Sequence, residues 1–206
     1  IRRIEANLSD GDYDTMLNDQ FPDLRADYAI VNPPFNIKDW GYNSLQNDPR
    51  WMYGVPPEKN ANFAWIQHYL HHLAPNGIAG IVMSNGSLTS PVKAEKDIRK
   101  ALVLDDKLDC VVMLPKNLFT NTSISACIWI IAKSKNQAGS RDRRGETLFV
   151  DCRDMGIMKS KVLREFTSED VCKIACTYRN WRSSTQFKLY EDKPGFCKSV
   201  RTDGEI

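Results

Sequence analysis

The stretch Asp27-Tyr28-Ala29-Ile30-Val31-Asn32-Pro33-Pro34-Phe35 decides how this chain is read. A short apolar run meets a double proline, which fixes the backbone and withdraws two amide donors. A strand that stops abruptly at Asn32 follows. Downstream, residues 36–60 show no period, only Gly, Pro, Asn and Asp with Trp40, Trp51 and Tyr53 among them. A loop of that length inside a compact domain is functional or disordered, and the aromatics argue against disorder.

Working outward, Phe63, Ile66, Leu70 and Leu73 recur at helical spacing over 61–73, with Pro75-Asn76-Gly77 as a stop. Residues 78–83 form a buried strand ending at Ser84-Asn85-Gly86, and 94–104 a second helix. Strands follow at 108–114, 125–133 and, more weakly, 148–152. Thr167-Ser168-Glu169-Asp170 starts a helix that runs to about Trp181. Strand, helix, strand, helix, strand, strand predicts an α/β sheet covered on both faces. Ligands of such sheets bind beyond the carboxyl ends of the strands, where the loop at Asn32 begins. The division expected is a catalytic-motif half over 1–135 and an extension of strand plus helix over 136–206.

Composition narrows the classes. The chain has 206 residues, 42% of them apolar and 26% charged, which are ordinary globular values. No stretch nears the ~18 consecutive apolar residues of a membrane span. The start at Ile1, without methionine or an apolar signal core, suggests a piece of something longer and no export. Six scattered cysteines suit a reduced, cytoplasmic protein, and Cys172 and Cys176 are spaced for one helical face. The net charge of +2 does not announce a nucleic-acid binder. Lys133 to Arg144 holds five basic residues and one acid, and reads as a solvated loop.

Asn32-Pro33-Pro34-Phe35 carries the strongest chemistry. Asn32 offers an acceptor oxygen on a short lead, and the carbonyls beside the prolines are free to accept. Phe35 adds an aromatic face. Together they can accept both hydrogens of an exocyclic amine and stack on its ring. A plain strand-ending turn is the competing interpretation, since Asn-Pro starts turns.

The motif resembles that of S-adenosylmethionine-dependent amino-group methyltransferases in the adenine-N6 form. More closely, the chain resembles the modification subunit of type I restriction-modification systems. The likeness takes in Leu17 to Leu24, Asn32 to Trp40, Asp48-Pro49-Arg50-Trp51 and Asn60 to Trp65. It continues through Leu73 to Gly77, Asn85-Gly86-Ser87, Ile98 to Leu102, Arg144 to Phe149 and Thr177 to Arg182.

The resemblance implies a Rossmann-like methyltransferase sheet, of which this chain is the second half with an antiparallel hairpin. It implies S-adenosylmethionine as cofactor and duplex DNA as substrate. Its partners would be a specificity subunit, a restriction subunit and a second modification subunit. Asn32 and the Pro33 carbonyl would hold the adenine amine beside Pro34, and Phe35 would stack on the flipped base.

The family's glycine-rich turn and ribose-binding acid are not found. Only 26 residues precede Asp27, and a βαβ unit needs ~30. Asp14, in Asp12-Tyr13-Asp14-Thr15-Met16, resembles the acid near the cofactor's adenine, or is a turn carboxylate. The fragment alone is therefore expected to be inactive.

Weaker candidates remain. Asn85 lines the same edge or merely turns the chain. Phe119 is a second pocket aromatic or a core contact. His68, His71 and His72 share a helix; without a fourth ligand in view they read as a partly exposed face, and no metal is assigned. Two rival functions stand: methylation of a protein glutamine, whose enzymes carry Tyr where Phe35 stands, and an inactive remnant that keeps only subunit-binding surfaces.

Overall fold

The computed structural model describes residues 14–119, 124–185 and 190–202. Its elements in chain order begin with α1 (Asp14–Leu17), β1 (Ala26–Val31), α2 (Tyr42–Leu45), α3 (Asn62–His71) and β2 (Leu73–Ser84). Next come α4 (Gly86–Thr89), α5 (Lys93–Leu104), β3 (Leu108–Met113), β4 (Ala126–Ala132) and β5 (Glu146–Asp151). The last are β6 (Ile157–Met158), β7 (Arg164–Glu165), α6 (Ser168–Arg182) and β8 (Cys197–Arg201).

Six strands form one mixed sheet in the order β1-β2-β4-β3-β5-β8, and β6-β7 make a separate ribbon. β1 runs parallel to β2, and β3 parallel to β5. β4 lies antiparallel between β2 and β3, so the hairpin expected from the sequence is inserted into the sheet. As a result β1, β2, β3 and β5 all end at one edge, where β4 begins.

The strands bury alternate residues on two faces. Over one face, Phe63, Ile66 and Leu70 of α3 and Ile98 and Leu102 of α5 pack on Ala79, Ile81, Val111, Trp129 and Ile131. The three- and four-residue spacing of those helical positions makes this stripe, which the hydrophobic effect holds to the sheet. Over the other face, Trp181 of α6 packs on Cys110, Val112, Leu148 and Val150. Thr167 caps α6 in a reciprocal box with Asp170, as the sequence indicates, contributing about 1 kcal/mol.

Several expectations change. The second face is covered only in part: Tyr28 and Ile30 on the outer side of β1 are 78% and 94% exposed, because α6 covers β3 and β5. The basic run 133–144 is no solvated loop. Lys135 and Arg143 are buried, the first on Asp106 at 2.6 Å and the second on Asp109 at 3.1 Å. Asp106 lies just before β3, Asp109 at its start and the bases after β4, so the antiparallel pairing brings them together at the edge opposite Asn32. β2 starts at Leu73, earlier than its apolar run, since Ala26 pairs with Leu73 ahead of a register shift. Residues 36–60, read as a loop, include the short helix α2 and close around buried Trp40, Leu45 and Trp51.

Candidate active site

β1 delivers Asn32 to the carboxyl edge of the sheet, exposed, with Pro33 buried and Pro34 half-buried behind it. Phe35 is half-buried and packs on the same apolar cluster as Leu118 and Phe119 from the β3–β4 connection. Asn85 leaves the end of the neighbouring strand β2, and its amide donates to Ser125 O at 2.9 Å. The structure thus brings Asn32, Pro33, Pro34, Phe35, Asn85 and Phe119 to one edge. Asp14 opens α1, but its side chain lies outside the described residues.

The turn after Phe35 is held by a pair that sequence reasoning missed. Asn36 has φ 57°, a left-handed conformation that Asn tolerates better than most residues. Its amide donates to Asn62 Oδ1 at 3.0 Å, and Asn62 Nδ2 donates to Asn36 Oδ1 at 3.0 Å. Ala61 N–H donates to Ile37 O at 2.9 Å beside it. Asn62 is buried at the start of α3, so the helix braces the motif loop. An Asn just after the aromatic and another opening the next helix were the available signals. Nothing in the spacing of 26 residues pairs them.

Two further polar atoms belong to this edge. Ser84 Oγ and Asn85 Oδ1 are buried without a hydrogen-bond partner among the described residues. Their neighbour Ser87 is satisfied: it donates to Ser84 O at 2.7 Å and accepts from Trp129 Nε1 at 3.0 Å. A buried polar atom without a partner costs stability, and such atoms concentrate where a ligand completes the bonding.

The histidines sit elsewhere. His68 and His72 are buried rather than partly exposed, because Asp19 and Arg50 fold over them. Asp19, His68 and His72 bring one ligand-type atom each within 4.8 Å of one another. The surrounding hydrogen bonds account for this without an ion. Arg50 Nη1 stands 3.0 Å from His68 Nδ1, and arginine can only donate, so that nitrogen accepts. His72 faces Asp19 Oδ2 at 2.8 Å through Nε2 and Leu24 O at 3.2 Å through Nδ1. Arg50 also holds Asp48 and the Met16 carbonyl, clamping α1 to α3. A cavity of about 170 Å³ beside this cluster, lined by Tyr53, His71, Asp105 and Lys133 among others, opens at the end of the sheet away from Asn32.

Burial, with the neighbouring His72 and Arg50 charges, pulls the His68 imidazole down to about 3. Folding therefore excludes a proton that the unfolded chain takes up below about pH 6.5. Stability should be full above that pH and fall as pH drops toward 3, by about 3 kcal/mol at pH 4. Denaturation midpoints measured between pH 7 and 4 should show the slope. His68→Gln can still accept from Arg50 and should flatten it; an unchanged slope in that variant would assign the loss elsewhere. Asp19 is held below its ordinary value: burial opposes its charge, but the Phe21 amide and His72 outweigh it. Its contribution is present above 3.8 and is lost only below that, outside the span from pH 7 to 4 over which the His68 slope is read.

The N-6 DNA Methylase family model matches residues 1–206. The chain belongs to that family. It is similar to the type I restriction enzyme HindI methylase subunit of Haemophilus influenzae, at 45% identity over 97% of this chain and 43% of that protein. It is similar also to the MjaIX methylase subunit of Methanocaldococcus jannaschii, at 36% identity over 92% of this chain and 34% of the relative. Among solved structures, the type I restriction-modification methyltransferase subunit from Streptococcus thermophilus superposes with a TM-score of 0.76. That match has 29% identity and covers 92% of this chain and 38% of the other. The chain spans less than half the length of each of these family members. The Rossmann-like α/β fold is thereby shown, and Asn32-Pro33-Pro34-Phe35 lies at the sheet edge where open α/β sheets bind ligands.

Proposed function

We propose that this chain is the catalytic-motif part of a type I modification subunit, which methylates adenine N6 in duplex DNA. The observation that carries this reading is the convergence of Asn32, Phe35, Asn85 and Phe119 on one sheet edge, within a chain of the N-6 DNA methylase family. Asn32 Oδ1 and the Pro33 carbonyl accept the two hydrogens of the adenine amine. The nitrogen then pyramidalises and its lone pair is freed, so no charged base is needed. Phe35 stacks on the extruded base, with Phe119 as a second wall. Extrusion itself costs a few kcal/mol, which these contacts offset.

S-adenosylmethionine, when bound, supplies an electrophilic methyl group. The residues present fit it only in part. Ser84 Oγ and Asn85 Oδ1 are buried acceptors without partners at the right edge, and Asp14 is a candidate for the cofactor's adenine. The described residues hold no glycine-rich turn after a strand that precedes β1. The whole protein would work in the cytoplasm with a specificity subunit, a restriction subunit and a second modification subunit. Phe35, where glutamine methyltransferases carry Tyr, favours a base over a protein acceptor.

A transfer assay on the complete protein tests the reading. Labelled S-adenosylmethionine is offered with duplex DNA and with protein acceptors, and the products are digested. Label should appear on N6-methyladenine. Label on glutamine, or none on DNA that contains the target site, would overturn it.

A further inference from the structure

The chain between β5 and α6 forms a small ribbon to which the catalytic reading gives no task. Ile157 pairs with Glu165 and Met158 with Arg164. Lys159 N–H donates to Leu163 O at 2.9 Å, and Ser160 Oγ accepts from the amides of Val162 and Leu163 at 3.3 and 3.1 Å. The tip is therefore a closed turn. Gly156, at φ 82°, admits no side chain, because a Cβ there would lie 2.7 Å from Glu165 O.

The ribbon's root is fixed to the wall of the candidate pocket. Arg164 N–H donates to Asn117 O at 2.8 Å, two residues before Phe119. The Arg164 guanidinium donates to Met155 O at 3.0 Å. Met155 and Phe166, at the ribbon's two ends, pack on the same cluster as Phe35 and Phe119. The ribbon thus rises from the carboxyl edge of the sheet, beside the residues assigned to the flipped base.

What it presents to water is unusual for a surface hairpin. Ile157, Met158 and Val162 are 59%, 45% and 71% exposed, and Lys159 and Lys161 lie between and beside them, also exposed. Arg153 to Glu165 holds four basic residues against two acids. Lys159 meets Glu165 at 2.6 Å, but both side chains are largely in water, and such a pair yields readily to a phosphate. Ammonium groups suit phosphates, and apolar side chains suit sugars and a base step that has lost a partner.

We propose that the β6–β7 ribbon is a duplex-DNA contact flanking the extruded adenine. Lys159 and Lys161 take backbone phosphates, and Met158 and Val162 lie against the step that the base has left. The proposal rests on the reading of the chain as a DNA methyltransferase. It gives this chain a grip on the duplex of its own.

The test uses the complete methyltransferase assembly carrying Lys159→Glu with Lys161→Glu, or Met158→Ser with Val162→Ser. These side chains are exposed, and thermal melts should match the parent. DNA affinity is read by anisotropy over a salt series, and base extrusion by 2-aminopurine fluorescence at the target position. The charge reversals should weaken binding about tenfold or more at 0.1 M salt and lower the salt slope by about 0.9 per lysine. S-adenosylmethionine affinity should not change. The serine pair should keep the slope and lose most of the fluorescence rise. Parental affinity and slope in the lysine variant would overturn the proposal. So would loss of the specificity subunit with DNA binding by the methyltransferase chain intact, which would make the ribbon a protein contact. Failure of the underlying reading looks different: the parental assembly then transfers no methyl group to adenine, and the ribbon proposal falls with it.

Discussion

Asn32→Ala in the complete enzyme is expected to slow single-turnover methylation of adenine by about 10²–10³-fold, the usual effect of losing one preorganised hydrogen-bonding group. DNA affinity and melting temperature should stay near the parent's. Asn32 is exposed at the end of β1, and the turn beyond it is braced by Asn36 and Asn62 rather than by Asn32. Its contribution is made when the amine nitrogen begins to bond, so the loss should fall on turnover rather than on binding. If Asn32 merely ended a strand, the variant would melt lower while its folded fraction methylated normally. Near-parental single-turnover rates would therefore remove this motif from catalysis.

Phe35 should divide differently. Phe35→Ala loses stacking worth about 1–3 kcal/mol on the extruded base. Because Phe35 is half-buried against the cluster under Leu118 and Phe119, the same change should also lower the melting temperature. Phe35→Tyr and Phe35→Trp keep an aromatic face and should retain much of the activity. Reading both quantities on the same samples separates stacking from packing.

The sheet was legible because its information is local. The runs at 27–31, 78–83, 108–114 and 125–133 announce strands, and helical spacing marks α3 and α5. The Thr167 box gives the start of α6 directly. β8 was missed because it is an edge strand whose backbone pairs with β5 while its side chains, Cys-Lys-Ser-Val-Arg, show no apolar run. The ribbon was missed because its strands are two residues each, too short for any period. Asn36 with Asn62, and Arg50 with His68, are partnerships across loops. Side-chain type offers candidates for such pairs, but topology chooses among them. The same limit applies to the basic run at 133–144. Five cations in a polar stretch look solvated until β4, running antiparallel, carries two of them, Lys135 and Arg143, to Asp106 and Asp109 around the start of β3.

That buried polar cluster should be the most sensitive point for stability. A register slip in β3 leaves Asp109 as an extra residue between Leu108 and Cys110, turned toward α6. Asp109 is fully buried, and its carboxylate accepts from Arg143 Nε at 3.1 Å and from Tyr178 Oη at 2.6 Å. Arg143, also fully buried, donates Nη1 to Ser140 Oγ at 2.8 Å. Its Nη2 has no hydrogen-bond partner among the described residues, while the guanidinium lies 5.5 Å from the Trp181 ring centre. Burial, followed by the Asp109 charge, pushes the Tyr178 phenol well above its ordinary value, so it remains a donor. Arg143→Met keeps much of the volume but strands the carboxylate, which should cost about 3–5 kcal/mol. Tyr178→Phe leaves the ion pair and should cost about 1.5–3 kcal/mol for a hydrogen bond to a charged group. Adding Asp109→Asn to Arg143→Met removes the uncompensated charge and should recover part of the loss. Urea denaturation midpoints on the four proteins measure this, together with methylation at low temperature. Because the cluster lies at the edge opposite Asn32, the folded fraction of each variant should methylate at the parental rate. If Arg143→Met came within about 1 kcal/mol of the parent, less than buried ion pairs ordinarily lose, the ion pair could not be what holds the segment after β4 to the start of β3.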